Sequence, residues 1–290
     1  MTPLRVDLAS LPRPRPRRRG SARRDSAPGW RLSRDWHPLR GWRRPAAWLW
    51  RRLAAAPRPM QIALGGAAFL VFLAAGNILY QVARKPTELL SPLGSAFAKT
   101  PGETWRQYAA LFREYSTAAV PPELLAALAQ VEGGGNPLAS TYWRWRLTWN
   151  PFAIYQPASS AVGTYQMTDA AFAEARRYCI QNHIVVEEGC WLNGLYSRML
   201  PSHAVELTAV FLDRHVAAIL AGRPKAKPTP QQKQSLAAIV HLCGPGPAKG
   251  FARRGFYLIP GERCGDHIAA DYLAKVNAMK REFLRLAAVE

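Results

Sequence analysis

The 290-residue chain is long enough to bury one good-sized core or two small ones. Its 49% apolar and 20% charged residues have the balance of a folded protein, which excludes a chain disordered from end to end. The net charge of +20 is localised. Residues 1–59 hold 16 arginines, no lysine and three aspartates, a net +13, whereas the other 231 residues carry only +7.

The stretch 1–59, with "LPRPRPRRRG" at 11–20, is rich in proline and poor in aliphatic residues in its first half. It reads as a disordered tail. Nucleic-acid binding is one reading of such a tail. A solvated cytoplasmic segment beside anionic lipid better suits the apolar run at 62–82, so lipid rather than nucleic acid is the expected partner. Residues 37–53, "HPLRGWRRPAAWLWRRL", alternate Trp with Arg pairs and suit the membrane interface.

The apolar run is "IALGGAAFLVFLAAGNILYQV", 21 residues without a formal charge. As a helix it spans about 31 Å, one hydrocarbon core, so 60–82 is predicted to be a transmembrane anchor. A cleaved signal peptide fits poorly behind a charged lead of 59 residues. Arg51, Arg52 and Arg58 before the segment, against Arg84 and Lys85 after it, place the N-terminus in the cytoplasm and the C-terminal part outside. Lipid contacts are therefore expected over 37–82.

Residues 83–99 read as a stalk, and 100–290 as the exported domain. All four cysteines, Cys179, Cys190, Cys243 and Cys264, lie beyond the anchor. Outside the cytoplasm they read as disulfides, and of three connectivities the nearest-neighbour pairs 179–190 and 243–264 are expected. Zinc at Cys179 and His183, spaced i and i+4 on a predicted helix, is the alternative, without a supporting CxxC or HExxH.

Thr100, Pro101 and Glu103 predict a helix start with a capping box. Trp105, Tyr108, Leu111, Phe112 and Tyr115 then come at helical spacing on a core face. A second helix, "VPPELLAALAQVE" at 120–132, stops at Gly133–Gly135. "YWRWRLTW" at 142–149 alternates in period two and predicts a short hairpin arm. Further helices are predicted over 168–180, 203–221, 230–242 and 266–287, so the domain is mainly α-helical.

Glu132 is the residue that asks for an explanation. It shares a helix face with Leu125 and Leu128, at i, i+3 and i+7, and sits at the negative end of the helix dipole. Both surroundings disfavour its charged form, which suits a carboxylic acid that must protonate a leaving oxygen. Glycoside hydrolysis ordinarily needs two carboxylates. Between Glu132 and Asp169 there is no other acid, so a second must come from afar, with Glu187, Glu188 and Glu206 as candidates.

"PPELLAALAQVEGGGNPLA" (121–139) and "SSAVGTYQMTDAAF" (159–172) together resemble the lysozyme-like domain of lytic transglycosylases. That family has a helix ending in its catalytic Glu, an N-P-x-A stretch and an A-x-G-x-x-Q segment. Glu132 matches the catalytic acid/base. Asn136, Pro137 and Ala139 match the stretch after it, and Ala161, Gly163 and Gln166 the second motif, with Tyr165 inside it. Near the C-terminus "HLCGPG" (241–246) occupies the place of Y-N-A-G, and "DYLAKV" (271–276) is similar to the closing Y-V-x-x-V, with Tyr272 as the matching aromatic.

The resemblance covers roughly 100–285. It implies substrate contacts at Asn136, Gly163, Tyr165, Gln166, His241 and Tyr272. Tyr142, Trp143, Trp145, Trp149 and Tyr155 read either as sugar-stacking platforms or as core and lid residues. Two departures stand out: Gly133 replaces the family's usual Ser after the Glu, and His241-Leu242 replaces Tyr-Asn.

The resemblance implies a membrane-bound murein lytic transglycosylase that cleaves glycan strands of peptidoglycan without metal or cofactor. The alternatives are a goose-type muramidase and a non-catalytic peptidoglycan-binding scaffold within an envelope protein complex. "GPGPAKG" (244–250) lacks the GK[ST] of a phosphate loop, and His183, His203, His215, His241 and His267 show no metal spacing.

Overall fold

The computed structural model describes residues 48, 51–52, 54–85, 88–89, 96–223 and 227–290. Nearly all of the tail, most of the stretch 37–53 and part of the stalk lie outside the described residues. The chain divides into two compact units, Met1–Leu64 and Gly65–Glu290. In the first, the described contacts are local: Gln61 Nε2 donates to the carbonyls of Ala54 and Ala56, and Arg52 lies 5.0 Å from the Trp48 ring centroid.

Helix α1, Arg58–Arg84, runs through the predicted apolar stretch and extends it at both ends. Among the described residues it is the helix long and apolar enough to cross a membrane. Its most apolar window is only 6% buried, unlike that of a core helix. The buried side chains in it are polar, Asn77 and Gln81.

The second unit is mainly helical. Helix α2, Pro101–Glu114, opens with the capping box: Thr100 Oγ1 accepts from the Glu103 N–H, and Glu103 Oε2 accepts from the Thr100 N–H. Trp105, Tyr108 and Phe112 turn into the core, while Leu111 and Tyr115 pack partly buried against it. Helix α3, Pro122–Gly133, is the buried axis, with every side chain from Leu124 to Ala129 at most 1% exposed. Such a helix is held by neighbours on all sides rather than by an amphipathic stripe. It packs against α2 and against the last helix, α8, Ala269–Ala287. Each fully buried leucine contributes about 1.5–3 kcal/mol.

The predicted arm is a hairpin: β1, Trp143–Trp145, pairs antiparallel with β2, Tyr155–Pro157. Helix α4, Asp169–Ala175, is shorter than the predicted 168–180. Residues 179–181 instead form β3, Cys179–Gln181, paired with β4, Ile184–Val186. Asn182 and His183 turn this hairpin with φ of 50° and 64°, the left-handed pair that suits right-twisted strands. β-branched residues at 180 and 184–186, and the Cys179–Cys190 disulfide, favour the ladder over a longer helix.

Helices α5, Pro201–Ala221, and α6, Pro230–Cys243, come close to expectation. Helix α7, Pro245–Arg253, occupies the glycine- and proline-rich stretch that carried no helical expectation. Its prolines fall in the first turn, where backbone N–H groups need no helical partner. Strands β5, Arg263–Cys264, and β6, His267–Ile268, then lead into α8. The second disulfide, Cys243–Cys264, joins the end of α6 to β5. Both pairs are the nearest-neighbour ones, and with the Cys179 sulfur bonded to Cys190 the zinc alternative loses its thiolate.

Candidate active site

The end of α3 explains its run of glycines. Gly134 is the left-handed C-cap, with φ 60°, and its N–H returns to the carbonyls of Ala129 and Gln130. Gly133 lies so close to the segment after the arm that a Cβ there would stand 2.6 Å from the Thr164 carbonyl oxygen. A serine at 133 would need the backbone to move. Close packing thus keeps position 133 free of a side chain, and the group that hydrogen-bonds to Glu132 comes from elsewhere.

That group is Tyr272 on α8. Its hydroxyl donates to Glu132 Oε1 at 2.5 Å, across 140 residues of sequence. Burial pushes the Tyr272 phenol well above the usual tyrosine range, and the adjacent Glu132 charge and the hydrogen bond add to this. The phenol therefore stays a donor. His241, in the last turn of α6, places Nε2 3.5 Å from the same carboxylate oxygen. Three helices that meet in the core thus deliver one side chain each to a single point.

Glu132 opens into a cleft of about 850 Å³, lined also by Ser140, Tyr142, Arg144, Gln166, His241, Arg263, Asp266, His267, Asp271, Tyr272 and Lys275. Of the predicted contacts, Gln166, His241 and Tyr272 face it. Gln166 has φ 47° and anchors its own side chain, Nε2 donating to the carbonyls of Ala139 and Gly163 at 2.9 Å each.

The other predicted contacts support the wall from behind. Asn136 is buried, and its Oδ1 accepts from the Leu138 N–H at 2.8 Å. Gly163, with φ 81°, passes against the Arg198 carbonyl, and Tyr165 is 1% exposed within the core. Tyr155 stacks with Trp143 and Trp145, ring centroids 5.1 and 4.7 Å apart, rather than lining the cleft. Of the arm's aromatics only Tyr142 lines it; Trp145 and Trp149 are exposed beyond it.

The distant acids proposed from sequence do not arrive. Glu206 is buried on α5 and accepts from the Ile180 N–H at 2.9 Å and the Tyr196 hydroxyl at 2.7 Å. Glu187 borders a separate hollow with Asp213 and Arg214, and Glu188 is exposed beside β4. The additional cleft carboxylates are Asp266 and Asp271, accompanied by Arg144, Arg263 and Lys275. Asp266 lies in the β5–β6 turn outside any recognisable motif, and Asp271 immediately precedes Tyr272 in the first turn of α8. Among the described residues no cluster of His, Cys, Asp and Glu could hold a metal ion.

A scan against protein-family models finds no match to this chain, and a search of curated proteins finds none either.

Proposed function

We propose that the protein is a peptidoglycan lytic transglycosylase with a lysozyme-like helical domain, held by α1 in the inner membrane and facing the periplasm. The observation that carries this reading is Glu132, placed by the buried α3 on the cleft wall and fixed through one oxygen by the Tyr272 hydroxyl. Two disulfides in the exported part accord with an oxidising compartment.

In this reading the glycan lies along the cleft with the bond from muramyl C1 to the N-acetylglucosamine O4 beside Glu132. Tyr272 holds Oε1, and Oε2 delivers the proton to the glycosidic oxygen as the C1–O4 bond breaks. The muramyl acetamido group stabilises the cation developing at C1. The Glu132 carboxylate then takes the proton of the C6 hydroxyl, and O6 bonds to C1. The products are a 1,6-anhydromuramyl end and a free 4-hydroxyl, with no water consumed.

Asp266 and Asp271 favour one second reading, a muramidase in which one of them activates water and leaves a reducing end. The full-length protein acting on murein sacculi separates the two: anhydro products are lighter than hydrolytic ones by one water. Glu132→Gln keeps shape and hydrogen bonding but cannot donate the proton. It is expected to lower the rate by about 10²–10⁴-fold with folding unchanged. Wild-type activity in Glu132→Gln overturns the assignment, and absence of any muropeptide release from the wild type indicates the scaffold alternative.

A further inference from the structure

The arm is bound to the C-terminal end of α1 more firmly than to the cleft. Asn77, Gln81 and Lys85 fall at i, i+4 and i+8 on one face of the helix line. Asn77 Nδ2 donates to the Pro151 carbonyl at 3.0 Å, Gln81 Nε2 to that of Phe152 at 2.6 Å, and Lys85 Nζ to that of Ala161 at 2.9 Å. The Trp143 indole N–H donates to Glu88 Oε2 at 2.8 Å, and Tyr80 packs on Phe152 with centroids 5.1 Å apart. The two buried side chains of an otherwise exposed apolar helix are thus spent on holding this one loop.

The arm turns an apolar surface outward. Leu147 and Trp149 are fully exposed and Trp145 is 77% exposed, with the exposed Arg146 between them. Gln81 lies three residues, about 4.5 Å, before the charged end of α1 at Arg84. The loop it holds is therefore level with the zone where a bilayer passes from hydrocarbon to headgroup, some 5–7 Å deep on each side. Tryptophan is favoured in that zone, and arginine beside it reaches the phosphates.

We propose that the loop Trp145–Phe152 is a second membrane contact, a foot whose Trp145, Leu147 and Trp149 enter the interface of the leaflet from which α1 emerges. The occupant of this surface is the bilayer itself. The inference rests on α1 crossing the membrane, and it deepens the proposed function in one respect. Tyr142 and Arg144, at the start of the same hairpin, line the cleft, so a footed arm fixes the height of the cleft above the lipid.

The four native cysteines are paired, so one introduced cysteine takes one label. Full-length protein carrying an environment-sensitive fluorophore at Trp149→Cys, Phe69→Cys or Tyr257→Cys is placed in nanodiscs of phosphatidylethanolamine and phosphatidylglycerol. Lipids spin-labelled at the shallow acyl position then serve as quenchers. Trp149 is fully exposed, Phe69 lies on the exposed span of α1, and Tyr257 is exposed far along the chain, so none of these changes empties the core.

Quenching at 149 at least about twofold above that at 257, with blue-shifted emission, is expected for an interfacial residue. Water-like emission at 149 with quenching retained at 69 overturns the foot and leaves the anchor standing. No quenching at 69 removes the anchor and the foot with it. Protection of the 149 label by added glycan fragments, in place of lipid, makes the arm a sugar platform and also overturns the proposal.

Discussion

Helices α1 and α3 are both predominantly apolar, yet they solve opposite problems. In α3 the leucines are sealed, with Leu124, Leu125 and Leu128 at most 1% exposed under α2 and α8. In α1 the same kind of side chain faces outward: Leu70 is 65% and Phe72 73% exposed. The polar residues reverse as well. In α1 the buried groups are Asn77 and Gln81, whose amide N–H groups donate to loop carbonyls, whereas in α3 the acid Glu132 is left at the rim and accepts from Tyr272. Composition alone does not separate the two helices. The difference lies in which distant segment meets the polar residue near each C-terminal end.

That comparison can be broken by matched truncations. Leu128→Ala in α3 should cost about 2–5 kcal/mol, read as a lowered urea midpoint for the solubilised full-length protein. Leu70→Ala in α1 should leave that midpoint where it is. Equal losses would mean that α1 is a core helix.

Next in size, Gly133→Ser tests the tight contact at the site end of α3. The added Cβ meets the Thr164 carbonyl at 2.6 Å, and an overpacking cost of about 1–3 kcal/mol is expected. A stable Gly133→Ser would show that the two segments part easily.

The smallest effect is one of pH. Tyr165 and Tyr272 are pushed well above the ordinary tyrosine value of 10.0, in both cases chiefly by burial. The unfolded chain loses these protons first, so their stabilisation is complete below about pH 10 and is lost as the pH rises above it. Tyr272→Phe should flatten part of that alkaline decline. An unchanged profile would place Tyr272 in contact with solvent.

Much of the fold was legible from local chemistry. Thr100 and Glu103 announce the start of α2 because a capping box needs only four residues, and the period-two aromatics after Tyr142 announce the arm. Longer-range competition was not legible. Residues 176–180 satisfy a helical pattern, but the helix ends at Ala175, and the left-handed Asn182–His183 turn and the Cys179 bridge draw Cys179 and Ile180 into β3. Helix α7 was hidden because its prolines and glycines read as a loop until they are placed in a first turn. At the site, Glu132 stood out through its odd position, and Tyr272 through resemblance. Asp266 carried no signal, since nothing near it in the chain distinguishes a cleft acid from a solvated one. Asp271, beside Tyr272 in the closing motif, stayed hidden because the resemblance gives its position no role.

The bridge between Cys243 and Cys264 has a mechanical consequence. Two residues before it along the chain is His241, and two after it is Asp266, both on the cleft wall. The bridged cysteines between them are pinned at a Cα separation of 5.1 Å. Across the mouth, Tyr142 reaches Asp266 only through a hydroxyl contact at 3.3 Å. The two walls of the cleft are thus joined in different ways, one closed by a covalent bridge and the other resting against it through a single hydrogen bond.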